Sequence, residues 1–192
     1  MLTLHRAATL RTAPTAPPVT DGAVLVRGDL VAAVGPYPEL AAAHPTARVR
    51  EWDGELTPGL ANPFGHLLLD LTYHPDPRDQ DDPDDPDEPA DGGARDWGAS
   101  ARRGLQQLLA HGTTALAGPF ERPAVRTAVS RSGLPPVPPF AAPAASQAPG
   151  FAAGVPHGVL VPGGRADFAV FARPDGACVA TVLAGRLVHR RR

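Results

Sequence analysis

The chain contains no lysine, so all 18 of its basic residues are arginines. It contains one cysteine, which excludes an internal disulfide and favours a reducing cytoplasmic environment. No apolar run reaches the ~20 residues that a membrane-spanning helix needs, and the N-terminal residues lack the basic stretch and apolar core of a secretory signal. These absences predict a cytoplasmic protein that does not contact a membrane.

The rest of the composition is that of a globular protein rich in turn residues. Hydrophobic residues make up 43% of the 192 positions, which is enough for a core in one or two domains. The 24 prolines and 20 glycines together exceed a fifth of the chain, and the prolines are clustered. The net charge of −2 argues against general nucleic-acid binding, so we expect no nucleic-acid partner.

Apolar periodicity and turn residues predict a mixed α/β chain. An early hairpin turns at Arg27-Gly28-Asp29, and we attribute the match of this tripeptide to an adhesion motif to chance. In the middle of the chain strands and helices alternate, which is the order of a parallel sheet or barrel. The predicted strands cover residues 2–10, 23–26, 30–35, 48–52, 60–62, 113–117, 166–172 and a final hairpin at 177–190, and the predicted helices cover residues 38–43, 97–111 and 123–132.

Two segments are too rich in acid or proline to form central elements. Residues 75–91 contain nine acids and five prolines without the glycine spacing of a calcium loop, so we expect a solvated, disordered loop. Residues 134–150 contain six prolines, which a central strand does not tolerate. We expect residues 135–157 to form a linker or a surface strap.

Residues 56–66 carry the most informative motif, Leu-Thr-Pro-Gly-Leu-Ala-Asn-Pro-Phe-Gly-His. This run resembles the first-strand signature of the amidohydrolase superfamily, T-P-G-L-[IV]-[ND]-x-H-x-H, whose two histidines hold a catalytic metal. His66 corresponds to the second histidine, whereas Phe64 replaces the first, and a phenyl ring offers no lone pair to a cation. The resemblance therefore implies that His66 is the one surviving ligand, and we expect no catalytic residue, cofactor or metal. The carbamylated lysine that bridges two metals in many members cannot form here.

Three further runs resemble segments of the same superfamily, in the same order. Residues 21–35 resemble its opening hairpin, residues 158–171 resemble the G-x-L-x-x-G-x-x-A-D run that follows its barrel, and residues 179–188 resemble its closing strand pair. Within the superfamily the resemblance is to imidazolonepropionase-like and aminodeoxyfutalosine-deaminase-like proteins. It implies that the first and last segments fold together as a composite β-sandwich beside a barrel.

The spacing between these motifs is too short for a whole barrel. A closed (β/α)₈ barrel needs about 250 residues, whereas about 96 separate Leu60 from Val155. Without the acidic and proline-rich segments about 60 remain, enough for two β/α units of ~30 residues. The family's later ligands, on its fifth, sixth and eighth strands, then have no counterpart. We expect a composite β-sandwich domain at 1–58 and 158–192, a truncated β/α barrel remnant at 59–134, and the linker at 135–157.

Few other residues suggest chemistry. Asp70 and His74 follow His66 at four-residue steps, so an improvised metal site on one helical face is the alternative to a strand-capping His66 with two surface neighbours. Cys178 lies in an apolar run, which indicates a buried structural thiol, and His111 ends a predicted helix, where its charge suits the dipole. The chain has no nucleophile elbow, phosphate loop or G-x-G-x-x-G motif. His157 precedes a glycine turn and is expected to be exposed, and the remaining histidines lie in the sandwich segments, away from any family active site: His5, His44 and His189.

These observations favour a degenerate amidohydrolase-like protein that lacks the metal site and serves as a non-catalytic binding or interaction module. An opened barrel exposes strand edges and an apolar sheet face, so we expect a homo-oligomer or a protein partner. The alternative is a zinc-dependent hydrolase of C–N bonds, of the cyclic-amide or deaminase type, completed by a partner chain. A gene remnant with no selected role is a third possibility.

Overall fold

The structure is a computed structural model and describes residues 2–76, 96–142 and 149–191. Most of the predicted acidic loop, residues 77–91, lies outside these ranges. The strands are β1 (Leu2–Leu10), β2 (Val19–Arg27), β3 (Leu30–Pro36), β4 (Arg48–Pro58), β5 (Leu60–Asn62), β6 (Thr113–Ala117), β7 (Pro136–Val137), β8 (Val155–Pro156), β9 (Phe168–Phe171), β10 (Cys178–Leu183) and β11 (Arg186–Arg190). The helices are α1 (Tyr37–Ala43), α2 (Trp97–Ala110) and α3 (Pro123–Ser132), and a π-helical turn covers Leu67–Leu71.

The first and last segments of the described chain form one seven-stranded sheet, which we call the composite sheet, in the order β11-β10-β9-β4-β1-β2-β3. The junction between the two segments is the antiparallel pairing of β4 with β9. This pairing explains why β4 extends to Pro58, well beyond the predicted end at Trp52: its second half has a partner more than a hundred residues away in sequence. The expected composite arrangement is confirmed.

The composite sheet curls until its β3 edge meets the segment that leads into β9. Gly164 accepts a hydrogen bond from the Val31 amide at the start of β3, and the Ala166 amide donates to the Asp29 carbonyl. For this reason β9 begins at Phe168, later than predicted, because the residues before it are paired with the opposite end of the sheet. The enclosed apolar core includes Leu10, Leu56, Phe168 and side chains from β2 and β10.

Four strands form a second sheet, which we call the small sheet, in the order β7-β6-β5-β8. Strands β5, β6 and β7 are parallel and are connected through α2 and α3, which pack over a second apolar core. This β-α-β-α-β run is the expected barrel remnant. Helix α3 begins at Pro123, where its missing amide hydrogen costs nothing, and ends before Gly133 at φ 77°.

The proline-rich segment differs from the predicted linker because it supplies both edge strands of the small sheet. Strand β7 pairs with β6, and β8 pairs antiparallel with β5. Each is only two residues long. Proline is excluded from central strands but tolerated at edges, so the composition is compatible with these positions. The boundaries proposed for the separate domains stay predictions. Within the described residues no helix is long and apolar enough to cross a membrane.

Candidate functional site

The site suggested by the sequence lies where β5 ends and the chain turns into the π-helical turn. Asn62, the last residue of β5, is fully buried. Its Nδ2 donates to the carbonyl oxygens of Gly150 and Phe151 at 3.0 and 3.3 Å, and its Oδ1 accepts from the Phe64 amide at 2.9 Å. Residues 149–156, which we call the strap, are thereby fastened to the strand end beside His66.

Phe64 occupies the position of the missing histidine and takes part in the apolar core. Its half-buried side chain packs against the cluster that includes Leu69, Leu116 and Phe120. The next residue is a glycine because a Cβ at Gly65 would lie 2.6 Å from the Ala117 carbonyl oxygen of β6. The phenyl ring therefore stabilises the contact between the end of β5 and the helical layer by burying apolar area.

His66 is paired with the carboxylate of Asp70. The His66 Nδ1 lies 3.1 Å from Asp70 Oδ2, and the His66 side chain is 34% exposed whereas that of Asp70 is 1% exposed. With Nδ1 donating to the carboxylate, Nε2 is the nitrogen left to accept a proton or a cation. The predicted four-residue spacing therefore brings these two side chains together.

The Asp70 carboxylate also holds the start of α3. Oδ2 accepts from the Glu121 amide and Oδ1 from the Arg122 amide, both at 3.0 Å. A carboxylate at this position compensates the orphan amides and the positive end of the helix. The Arg122 Nε returns a hydrogen bond to the Asp70 carbonyl at 2.8 Å, and its guanidinium lies 3.8 Å from the Trp97 ring centroid. Both oxygens of Asp70 are thus occupied by the protein itself.

His74 does not join this pair. Its Nε2 donates to the Leu68 carbonyl at 2.7 Å, and its amide donates to Ser100 Oγ at 2.9 Å. The ring is packed against Phe151 of the strap and against α2 at Gly104. The three residues therefore do not share one helical face, because the π-helical turn ends at Leu71 and the chain then extends. Within the described ranges no group of three or more histidine, cysteine, aspartate or glutamate side chains is placed to hold a metal ion.

The other predicted residues serve the fold. Cys178 is buried, as expected, and burial raises the pKa of its thiol. His111 follows the last residue of α2, as expected, and its Nδ1 lies 2.8 Å from the Gln107 carbonyl. His5 is 2% exposed, and its Nδ1 accepts from Trp52 Nε1 at 3.3 Å. Burial, reinforced by the Arg50 charge, lowers the pKa of His5 to about 4. Sequence reasoning placed His5 in the sandwich but missed this pair, whose members are far apart in the chain.

Two clefts of the described surface are lined by residues other than His66. A cleft of about 700 Å³ includes His74, Arg103 and Phe151, and one of about 460 Å³ separates α2 from α3. On the π-helical turn that follows His66, Leu67 and Leu71 are 37% and 58% exposed. What the site offers chemically is one imidazole oriented by a carboxylate.

A bacterial family model, the imidazolonepropionase-like composite domain, matches residues 22–47. No curated protein matches the chain. The solved structures similar to it include ochratoxinase of A. niger, with 19% identity over 70% of this chain and 29% of that one at a TM-score of 0.47. They also include guanine deaminase of Bradyrhizobium japonicum, with 20% identity over 71% of this chain and 34% of that one at a TM-score of 0.47. Aminofutalosine deaminase of Helicobacter pylori is also similar, with 12% identity over 71% of this chain and 32% of that one at a TM-score of 0.47.

The chain spans about a third of the length of these solved structures. The resemblance to imidazolonepropionase-like proteins expected from the motifs is confirmed over the matched residues 22–47. The matched segment runs from within β2 through α1 and into the following loop, and it is similar to this composite domain.

Proposed function

We propose that this chain is a non-catalytic amidohydrolase-like protein that acts as a binding or interaction module. The observation that carries the proposal is the use of the ligand positions for packing. Phe64 belongs to the apolar core, and both oxygens of Asp70 accept hydrogen bonds from backbone amides. His66 is left as a single donor, whereas a catalytic zinc takes three protein ligands and one open position.

The lack of ligands removes both contributions of a catalytic metal. A bound cation lowers the pKa of its water and polarises the substrate carbonyl or ring. A lone imidazole, even one oriented by a carboxylate, supplies neither a hydroxide nucleophile nor a Lewis acid. The isolated protein is therefore proposed to have no deaminase or cyclic-amide hydrolase activity.

The proposed contact surface lies on the π-helical turn that follows His66. Leu67 and Leu71 lie four residues apart on the π-helical turn, and both are exposed. Covering them by a second copy or a protein partner removes apolar area from water. Nucleic acid is not a proposed partner, because the chain carries a net charge of −2. Light scattering of the Leu71→Asp variant should show weaker association than the parent protein, and a strictly monomeric parent at high concentration would contradict this surface.

The test of the missing site is Phe64→His with Phe64→Leu as its matched control. Restoring the histidine is expected to leave the purified protein without stoichiometric zinc, because Asp70 remains committed to α3. It should also lower the free energy of unfolding by about 2 kcal/mol, since a polar ring replaces an apolar one in the core. The leucine control should cost less than about 1.5 kcal/mol. Stoichiometric zinc with measurable C–N bond hydrolysis, in either the parent or the histidine variant, would overturn the proposal.

One observation favours a second candidate, a metal-dependent hydrolase of C–N bonds whose site is completed by a partner chain. The pairing of His66 Nδ1 with a buried carboxylate is the orientation that metal-binding histidines usually have. In such an assembly His66 Nε2 would bind zinc together with ligands from the partner. Zinc titration of the associated protein decides between the candidates: saturable binding that His66→Gln abolishes supports the second, and its absence supports the first.

A further inference from the structure

We infer that proline blocks both open edges of the small sheet against pairing with another β-strand. An interrupted parallel barrel leaves two edges at which a further strand could add, and such edges invite association through backbone hydrogen bonds. The two edge strands, β7 and β8, are both drawn from the proline-rich part of the chain. What matters is which of their residues face outward.

On the β7 edge the hydrogen bonds identify the inward-facing residues. The Leu116 amide of β6 donates to the Pro135 carbonyl at 3.2 Å, and the Gly118 amide donates to the Val137 carbonyl at 3.0 Å. Backbone groups of an extended chain alternate in direction, so Pro136, between these two, points away from β6. Pro138 follows in the same alternation, and both prolines are exposed. Neither proline has an amide hydrogen. A strand added at this edge would therefore find carbonyl acceptors but no hydrogen-bond donor.

The β8 edge repeats the arrangement in an antiparallel strand. The His157 amide donates to the carbonyl of Gly59, just before β5, at 3.0 Å, which turns residue 157 inward. Val155 is paired with Ala61, and Pro156 is paired with Leu60, whose own amide donates in the other direction to Gly112, just before β6. Pro156 is therefore the outward-facing residue of β8, and it too is exposed. Both edges thus lack a donor at the position that a neighbouring strand would use.

This arrangement decides how the small sheet can meet another molecule. A second copy cannot complete the barrel by adding its own small sheet edge to edge, because a ladder needs donors from both strands. A partner of this region must instead contact side chains. The inference does not depend on the proposed function, since it holds whether or not the chain binds a metal.

The experiment compares association of the full chain with and without the edge prolines. The variants are Pro136→Thr/Pro138→Thr for β7 and Pro156→Thr for β8, with Pro17→Thr in an exposed loop as the control for the same chemical change. Sedimentation over a range of concentrations should show that each edge variant associates about tenfold more tightly than the parent, because restored donors allow a ladder. The control should sediment as the parent does.

Hydrogen exchange gives a second reading of the same variants. The amides introduced at positions 136, 138 and 156 should exchange slowly at high concentration and freely on dilution. Circular dichroism identifies the folded variants to be compared. If the folded edge variants sediment like the parent, with unprotected introduced amides, the prolines do not block the edges and the inference is wrong.

Discussion

The carboxylate of Asp70 joins three parts of the chain in a small volume. It receives the His66 ring from the preceding turn and two amides from the start of α3, and it is almost fully buried. A buried carboxylate is tolerable only where hydrogen bonds compensate its lost hydration. At the residue scale, then, Asp70 stabilises the fold by joining His66 to the start of α3.

Asp70→Asn should lower the free energy of unfolding by about 2 kcal/mol, because one carboxylate oxygen becomes a donor facing an amide donor. Chemical denaturation monitored by circular dichroism measures the effect. The matched control is Asp96→Asn at the start of α2, where the exposed side chain accepts from the Ala99 amide at 2.9 Å. Asparagine caps a helix as well as aspartate does, so this control should change stability by less than about 0.5 kcal/mol. Equal effects of the two substitutions would contradict the assigned role of Asp70.

We expect His5 to lower the free energy of unfolding in weak acid. Its pKa is about 4 in the folded protein against an ordinary 6.5, so the unfolded chain binds the extra proton between these values. The free energy of unfolding is therefore unaffected by His5 above about pH 6.5 and decreases as the pH falls toward 4, by up to about 3 kcal/mol. In His5→Gln that part of the slope should disappear.

Urea denaturation at a series of pH values measures this slope, with His157→Gln at an exposed position as the control. Other groups contribute to acid denaturation in all three proteins, so the comparison is between their slopes. An unchanged slope in His5→Gln would show that the buried imidazole is not the group responsible.

The sequence indicated Phe64 and His66 but not the hydrogen bonds around them. These two residues stand in a local motif, and the spacing within a motif is a property of consecutive residues. The partners of Asp70, at Glu121 and Arg122, are 51 and 52 residues away, and no local pattern indicates them. The same is true of His5 and Trp52, which meet only because β1 and β4 are parallel neighbours.

At the scale of elements, the helices and the long hairpin were predictable because they depend on local periodicity and caps. Helix α3 has the predicted bounds, and α2 ends within one residue of its prediction. The two-residue strands β7 and β8 were not predictable, because only their pairing with β6 and β5 makes them strands. The π-helical turn was also unexpected, and it is this turn that separates His74 from His66.

Gly104 lies where α2 packs against the π-helical turn. A Cβ there would lie 2.6 Å from Leu69 Cδ2 and 3.0 Å from the His74 ring, both held by their surroundings. Gly104→Ala, normally favourable in a helix, should therefore lower the free energy of unfolding by about 1–3 kcal/mol through overpacking. Thermal and urea denaturation measure it.

The control for this prediction is Gly98→Ala in the first turn of the same helix. Its nearest neighbours would be Asp96 Oδ1 at 3.2 Å and Arg102 Nη1 at 3.5 Å, which are ends of exposed side chains that can move. We expect a change of no more than about 1 kcal/mol, in the stabilising direction. Stabilisation of similar size by both alanines would mean that Gly104 is not tightly packed.

At the scale of the whole molecule, α2 contacts both sheets, so we expect the two sheets to unfold together. Thr181 of β10 donates from Oγ1 to the Leu109 carbonyl of α2 at 2.6 Å, and Leu183 belongs to the apolar core under the helices. Gly112, just before β6, lies against the Phe171 ring of β9 at a φ of 84°. These contacts place α2 against the composite sheet as well as the small sheet.

The two tryptophans test this coupling because one lies in each part. Trp52 contacts His5 in the composite sheet, and Trp97 contacts Arg122 beside the small sheet. In Trp97→Phe and in Trp52→Phe, the fluorescence transition of the remaining tryptophan should coincide with the circular-dichroism transition of the same variant. A fluorescence change that precedes the loss of secondary structure in either variant would show that the two sheets unfold separately.

The sequence by itself determined the class of fold, because periodicity and spacing are properties of neighbouring residues. The resemblance of its motifs to a known family implied the composite pairing of the two outer segments. That Phe64 replaces a metal ligand stays a prediction from the same resemblance. Only the tertiary structure decided that the Asp70 carboxylate is hydrogen-bonded to the start of α3, that His74 packs against α2 and Phe151, and that prolines lie on both edges of the small sheet. Those outcomes depend on hydrogen bonds between distant segments, and their partners are set when the chain packs.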